Sequence, residues 1–513
     1  MRVALCAVLA LVLLCSLHTP VAADETGIAA DKKLAKELEG LADLCYAMGI
    51  KAKDSGIYNY AKSFFNHALL YDADHKETRK ILGFKKKGKE WVADKEDYGM
   101  PSRNTIRPEK EDEVYKKIWN DTKAEREKAA DKLYEFVADT KLDNKQRVLA
   151  LHHLMLIDPW HVKGHRAAGM DNTEPGTSTD LWTHKLDAEI YHARRDWQKD
   201  APAATAVKDK TSYDDAMGLL FGKARGERFF IHVSCVGNGE QIALNLAPYA
   251  DATWHKACDY LGLTPEEAPK DDAKRLHYTV IDDRPNYAKF IETCAGIKDP
   301  QRRKEIAEQG WGYVTRKPTG NVWLYPRPEE SAGLLDGFAH EIGAYTIASK
   351  CGYRLYWLNR GFGFTMSNRA VGSVRANFAP VRGSQVIPSD VEAMPGNGTN
   401  AAAWRFNVVL AIAGGKTLGL TALTRTNSAS FGEAQCAFGF AYTEYLLTKY
   451  KEKLAPFLKD AYDDTYERYK KKEPPESGDE TLARLMKHLD TTSDALQTDF
   501  ALWAVDNYLK LPK

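Results

Sequence analysis

Apolar positions in residues 24–170 recur at helical spacing. Leu38 to Met48 and Tyr58 to Tyr71 read as a first pair of helices, and the second continues through KETRKILGF. The pattern then returns once. Leu70, Asp72, His75 and Gly83 are matched by Leu156, Asp158, His161 and Gly169, each 86 residues further on. LLYDADHKETRKILG and MLIDPWHVKGHRAAG therefore read as two copies of one unit. A helix pair of this kind needs neighbours to bury both of its faces. His75, His161 and His165 follow an Asp turn, where histidine caps or packs more often than it binds metal.

The stretch from Lys85 to Lys132 carries dense charge and reads as a solvated connection and helix faces. Residues 171–211 are rich first in Thr, Ser, Gly and Pro and then in Ala and Lys, the composition of a linker with some helix. A different pattern begins near Ser212. Phe229 to Ser234 reads as a strand, Glu240 to Leu261 as a helix, Leu276 to Ile281 as a strand and Asn286 to Cys294 as a short helix. Trp311 to Thr315 and Asn321 to Tyr325 read as two strands joined by a turn at Pro318. A helix over Pro328–Cys351 follows, with Pro near its start and Gly352 as its stop. Residues 366–403, rich in Gly, Pro, Ser and Asn, read as loops, either filler or a lid over a cleft. Helices resume at Trp404, Gly432–Tyr450 and Leu482–Leu509. The class is α+β, a helical repeat-like module (24–170), a linker (171–211) and a mixed domain (212–510) with a small sheet and a helical lobe.

Composition changes this picture at the amino terminus. Arg2, an apolar run over Val3–Leu17 and the small residues Val21-Ala22-Ala23 read as a secretory signal peptide over 1–23, cleaved after Ala23. An uncleaved anchor would need a longer apolar run, and Leu14 before Cys15 argues against a lipid anchor. The mature chain is expected to be exported, periplasmic or extracellular, with no membrane span. Without Arg2 it carries 71 basic and 71 acidic residues. That balance offers no electrostatic argument for nucleic acid. Cys45, Cys235, Cys258, Cys294, Cys351 and Cys436 remain, with no CxxC pair. A zinc ribbon is excluded, while disulfides and buried thiols both stay open.

Candidate chemistry sits in the helix over 328–351. It reads Ala339-His340-Glu341-Ile342-Gly343-Ala344-Tyr345, and Trp357-Leu358-Asn359-Arg360-Gly361 lies downstream. In the HExxH template two histidines four apart grip one zinc from one helix face, and the Glu activates the metal-bound water. With the element order before it, this region resembles the peptidase MA-like domains of the gluzincin superfamily, and the front half resembles tetratricopeptide-type repeats. The resemblance implies zinc-dependent peptide hydrolysis. It places the first ligand on His340 and the general base on Glu341. The second ligand falls on Ala344, which has no donor atom. The third, normally Glu, falls on Arg360, a permanent cation. Tyr345 is one position late, about 100° round the helix. The expectation is a metallopeptidase-like protein without catalysis and without a cofactor, Arg360 filling the metal position beside Glu341. Zinc would require a site rebuilt by other residues such as His232, His255 or His277. Asn321, Trp323, Tyr325, Tyr345 and Tyr442 (or Tyr445) are candidate cleft residues, the Asn321–Tyr325 strand able to pair with a peptide. Protein or peptide partners are expected at the cleft and at the helical repeats. An active hydrolase with an unusual site and a purely structural interaction protein are the competing readings.

Overall fold

The computed structural model describes residues 30–374 and 401–513, apart from 89, 94–100, 102, 173–181, 200, 236, 317, 327, 329–331 and 427–430. The signal-peptide reading and most of the 366–403 loop lie outside the described residues. The fold is mixed α+β, mostly helical with one small mixed sheet.

Helix α1 (Lys32–Asp54) begins at Asp31, whose carboxylate accepts from the Leu34 N–H. It packs along α2 (Tyr58–Tyr71), which is followed by the short α3 (Lys76–Ile81) and a hairpin of β1 (Phe84–Lys87) and β2 (Glu90–Ala93). Helix α4 (Pro108–Asp121) covers this unit, stacking Tyr115 on Tyr60 and Phe64. Then the sequence of elements repeats: α5 (Lys123–Ala138), α6 (Asn144–Ile157), α7 (Val162–Ala167) and a hairpin of β3 (Met170–Asn172) and β4 (Trp182–His184). Both bounds of α6 and of α7 lie 86 residues beyond those of α2 and α3. The histidines do the same work in each copy. His75 and His161 are N-caps whose ring nitrogens accept from the N–H groups of Thr78 and Gly164. Gly83 and Gly169 both take positive φ to turn from the short helix into the hairpin. The equivalent residues Arg79 and His165 each lie against an aromatic ring of their own hairpin, Phe84 and Trp182. The first hairpin is not what the charged run at 85–132 predicts; β1 buries Phe84 and leaves its three lysines exposed.

The expected linker is built into the fold. Within 171–211 lie β3, β4, the helix Ala188–Ala193 and β5 (Thr205–Ala206), and Asp187 is buried. β5 starts a six-stranded sheet with β6 (Gly222–Arg225), β7 (Phe229–Val233), β8 (Leu276–Ile281), β9 (Gly312–Arg316) and β10 (Thr319–Leu324), in the order β5-β6-β7-β8-β10-β9. β7, β8 and β10 run parallel; β5, β6 and β9 are antiparallel additions. Period-2 alternation divides the sheet's faces. Phe229, Ile231, Val233, Leu276, Tyr278 and Val280 join the large core, while Ile281, Val322 and Leu324 join a second core with Tyr287 and Phe290.

Helices α8 (Gly239–Tyr260) and α9 (Arg284–Thr293) follow β7 and β8. The large core then gathers α10 (Ala332–Cys351), α11 (Tyr356–Val371), α12 (Ala401–Ala413), α13 (Glu433–Lys449), α14 (Lys451–Lys471), α15 (Gly478–Leu489) and α16 (Ser493–Tyr508). The expected loop at 366–403 is therefore corrected at both ends: α11 runs to Val371 and α12 starts at Ala401. The polar residues that read as loop are buried and bonded. Ser367 donates to the Asp336 carbonyl and Asn368 to Asp187. None of the six cysteines after residue 23 forms a disulfide. Among the described residues no helix is long and apolar enough to cross a membrane.

Candidate functional site

The site lies where α10 and α11 cross. The two helices meet through glycine. A Cβ at Gly343 would stand 2.8 Å from Met366 Cγ, and one at Gly363 would stand 2.7 Å from the His340 carbonyl oxygen. At the next contact outward, a Cβ on Gly361 would overlap the Gly439 carbonyl of α13. Backbones this close leave the side chains between them little room.

His340 is fully buried in this crossing, its ring set edge-on to Phe364 at 4.4 Å. Neither ring nitrogen has a hydrogen-bond partner among the described residues. Burial, and secondarily the Arg360 charge, push its pKa well below the usual histidine range, so it is neutral. Glu341 lies one residue on, at the edge of the crossing. The Arg360 guanidinium donates through Nη1 to Glu341 Oε1 at 3.4 Å, with the two side chains 14% and 16% exposed. Arg360 also faces the rings of Phe364 and Tyr356 at 5.6 and 5.9 Å. Ala344 is buried, and its carbonyl accepts from Asn359 Nδ2 at 3.3 Å. The helices are thus antiparallel here, and positions 340, 344 and 360 line one crossing.

These residues do not fit zinc. Position 344 offers no donor, position 360 presents a cation, and the His340 ring is wedged against Phe364 and Gly363. The other histidines stand elsewhere. His232 and His277 are on the sheet face turned away from α10, Nε2 to Nδ1 at 3.1 Å, within a cage of Tyr213, Phe221 and Phe230. Strand alternation puts them there, since Ile231 and Tyr278, their neighbours, face α10. His255 pairs with Glu227 at 2.9 Å. Among the described residues no group of three His, Cys, Asp or Glu side chains is arranged to hold a metal ion.

The candidate cleft residues divide. Asn321, Trp323 and Tyr325 alternate onto the face of β10 toward α10. Trp323 packs on Phe338 and Tyr278, both at 4.9 Å, and Tyr325 reaches over Gly333 in the first turn of α10. The expectation that this strand pairs with a peptide is corrected: β10 lies between β8 and β9, so both of its edges are already paired. The edges of the sheet are β5 and β9. Tyr345 lies against Trp254, centroids 6.1 Å apart. Tyr442 is not a cleft residue. It is fully buried, stacked on Phe500 at 3.9 Å, and its hydroxyl donates to the Leu418 carbonyl. Tyr445 is core as well, bonded to Asp499.

Two features escaped the sequence reading. Glu341 has tyrosines within electrostatic reach from three places: Tyr278 on β8, Tyr353 in the turn between α10 and α11, and Tyr356 at the start of α11. Tyr278 is 1% exposed, and the Asn321 side chain, paired with it in register on β10, is its hydrogen-bonding neighbour. The second feature is Arg405 of α12, fully buried between Asp187 (2.6 and 2.9 Å) and Glu444 (2.5 and 2.9 Å). Asn368 and Tyr508 complete the network through those two carboxylates. Searches of family models, curated proteins and solved structures found no match for this chain.

Proposed function

We propose that this chain is an exported, metallopeptidase-like protein that binds extended polypeptide without hydrolysing it. One observation carries the reading: the Glu341–Arg360 ion pair stands where a catalytic centre would need a metal and a free base. A general base must reach the proton of its water, and Glu341 is instead engaged by a fixed cation. The binding half of the reading rests on β9. This edge strand begins beside Trp311, and both Trp311 and Val314 are exposed. Arg284 lies over the Trp311 ring at 5.1 Å. An exposed sheet edge with apolar side chains suits an added peptide strand, backbone bonds giving affinity and alternate side chains giving selectivity.

The test combines metal analysis with binding. The purified mature chain should contain no stoichiometric zinc and should not cleave fluorescein-labelled casein, with or without chelator. Unfolded casein should bind, and Trp311→Ala should weaken that binding with the melting temperature unchanged. Stoichiometric zinc with chelator-sensitive cleavage would overturn the first half, and absence of binding the second.

A further inference from the structure

The two repeat copies fold alike and differ in charge. Residues 76–91, which form α3 and most of the first hairpin, carry seven basic side chains against two acidic ones. The same span of the second copy, 162–177, carries two of each. Both copies build the short helix, the positive-φ glycine and the hairpin, so the fold does not require the excess. Residues 24–513 as a whole carry equal numbers of basic and acidic side chains. The surplus at 76–91 is therefore a local feature, and a strong one for so short a span.

The two hairpins are also placed differently. The second is packed away: His184 of β4 donates to the Tyr508 carbonyl, and the Lys185 ammonium to the Leu509 carbonyl, both at 3.1 Å. The first is open. Of the eight residues in β1 and β2, six are exposed. Two residues hold it to its own repeat. Phe84 is buried with Arg79 over its ring, and Trp91 Nε1 donates to Asp74 at 2.9 Å. Lys85, Lys86 and Lys87 are all exposed. Successive side chains of a strand point to opposite faces. Lys86 lies over the ring of its register partner Trp91, at 5.4 Å, and Lys85 and Lys87 point the other way, with the exposed Val92 opposite Lys85. The hairpin is thus a fixed finger charged on both of its faces.

That geometry selects the occupant. A folded acidic partner meets one face of a hairpin. A layer of anionic headgroups surrounds it and meets lysines on both faces, with Trp91 and Val92 suited to the same interfacial depth. We infer that the first hairpin is a membrane-surface anchor, which docks the chain peripherally on a bilayer containing anionic phospholipid. It needs no membrane-crossing helix and uses none of the residues of the peptide-binding reading, so either can fail alone.

The experiment mixes the full mature chain with sucrose-loaded vesicles of phosphatidylcholine, alone or with one third phosphatidylglycerol, and reads the bound fraction by sedimentation. Only the anionic vesicles should bind, and binding should fall as salt is raised. The triple variant Lys85→Gln/Lys86→Gln/Lys87→Gln should keep the parent's melting temperature and bind about a hundredfold more weakly, at about fivefold per lysine. Lys451→Gln/Lys470→Gln/Lys471→Gln, which removes as many exposed lysines from α14, should change binding less than twofold. Binding to neither vesicle, or equally to both, overturns the anchor. Anionic binding that survives in the hairpin variant, or falls as far in the α14 variant, overturns its assignment to the hairpin. Binding of soluble poly-glutamate without binding of vesicles identifies an acidic polypeptide as the occupant and overturns it as well. If the triple variant does not fold, an unchanged affinity in Lys87→Gln overturns the assignment instead.

Discussion

Placing donors at positions 344 and 360, as the HExxH template would have them, should create a zinc site at the crossing of α10 and α11. His340 lies against Gly363 and Phe364, and the Ala344 carbonyl meets Asn359. His340 and Arg360 thus both border the Phe364 ring, and position 344 lies about one turn along α10 from His340. Ala344→His adds bulk at a position only 4% exposed, an overpacking cost of about 2 kcal/mol. Arg360→Glu sets a second carboxylate beside Glu341. At the present separation of 3.4 Å, two charges in an effective dielectric of ~20 repel by about 5 kcal/mol, and one of them escapes by taking up a proton. The metal-free double variant should therefore be less stable than the parent. A three-ligand site at the low end of the structural range contributes about 10 kcal/mol. The overpacking is already present in the metal-free variant and does not subtract from binding, so the Kd is about 50 nM.

The single variants sharpen the test. With Ala344→His alone, the guanidinium stays. A +2 ion and a +1 group ~4 Å apart repel by about 8 kcal/mol at the same dielectric, which cancels the gain. Competition against a chromophoric zinc chelator should therefore detect binding in the double variant only, and zinc should raise its melting temperature while leaving the wild type unmoved. A folded double variant that binds no more zinc than wild type would refute the scaffold reading itself.

Three other outcomes are expected. Arg405→Met leaves Asp187 and Glu444 facing each other in the core, and urea unfolding should show a loss of about 3–5 kcal/mol; a loss under 1 kcal/mol would show that the network is not holding α12. Burial holds His165 at about 4 and His184 at about 3, against 6.5 when unfolded. Since the folded values are the lower ones, their contribution is complete above pH 6.5 and is lost as pH falls, about 2 kcal/mol each by pH 5; an unchanged urea midpoint between pH 7 and 5 would contradict it. Gly363→Ala forces a methyl to 2.9 Å from the His340 ring and should cost about 1–3 kcal/mol; an unchanged urea midpoint would sink the packing argument.

The parts of the fold that could be read from the chain are those with a local period. The alternation in Phe229–Val233 and Leu276–Ile281 locates β7 and β8, and the Asp-turn spacing locates α2 with α3 and α6 with α7. What could not be read depends on long-range placement. Nothing local distinguishes β9 from β10, yet only β9 is an edge. Asp187, Arg405 and Glu444 come together from three distant segments. Tyr442 was misplaced for a reason that was legible. CAFGFAYTEYLL is apolar on all sides of the helix, the mark of burial all round, and α13 is buried along Cys436–Thr443.

The glycine crossing changes what the ion pair is for. If Arg360 were there to clamp α10 to α11 in place of a metal, its contact would be short and dry. It is 3.4 Å long and joins side chains 14% and 16% exposed, beside the Tyr356 and Phe364 rings. The clamp is instead steric. Gly343 and Gly363 bring the backbones together, and Gly361 brings α11 against Gly439 of α13. Apolar neighbours such as Phe338, Phe362 and Phe364, all fully buried, supply the burial.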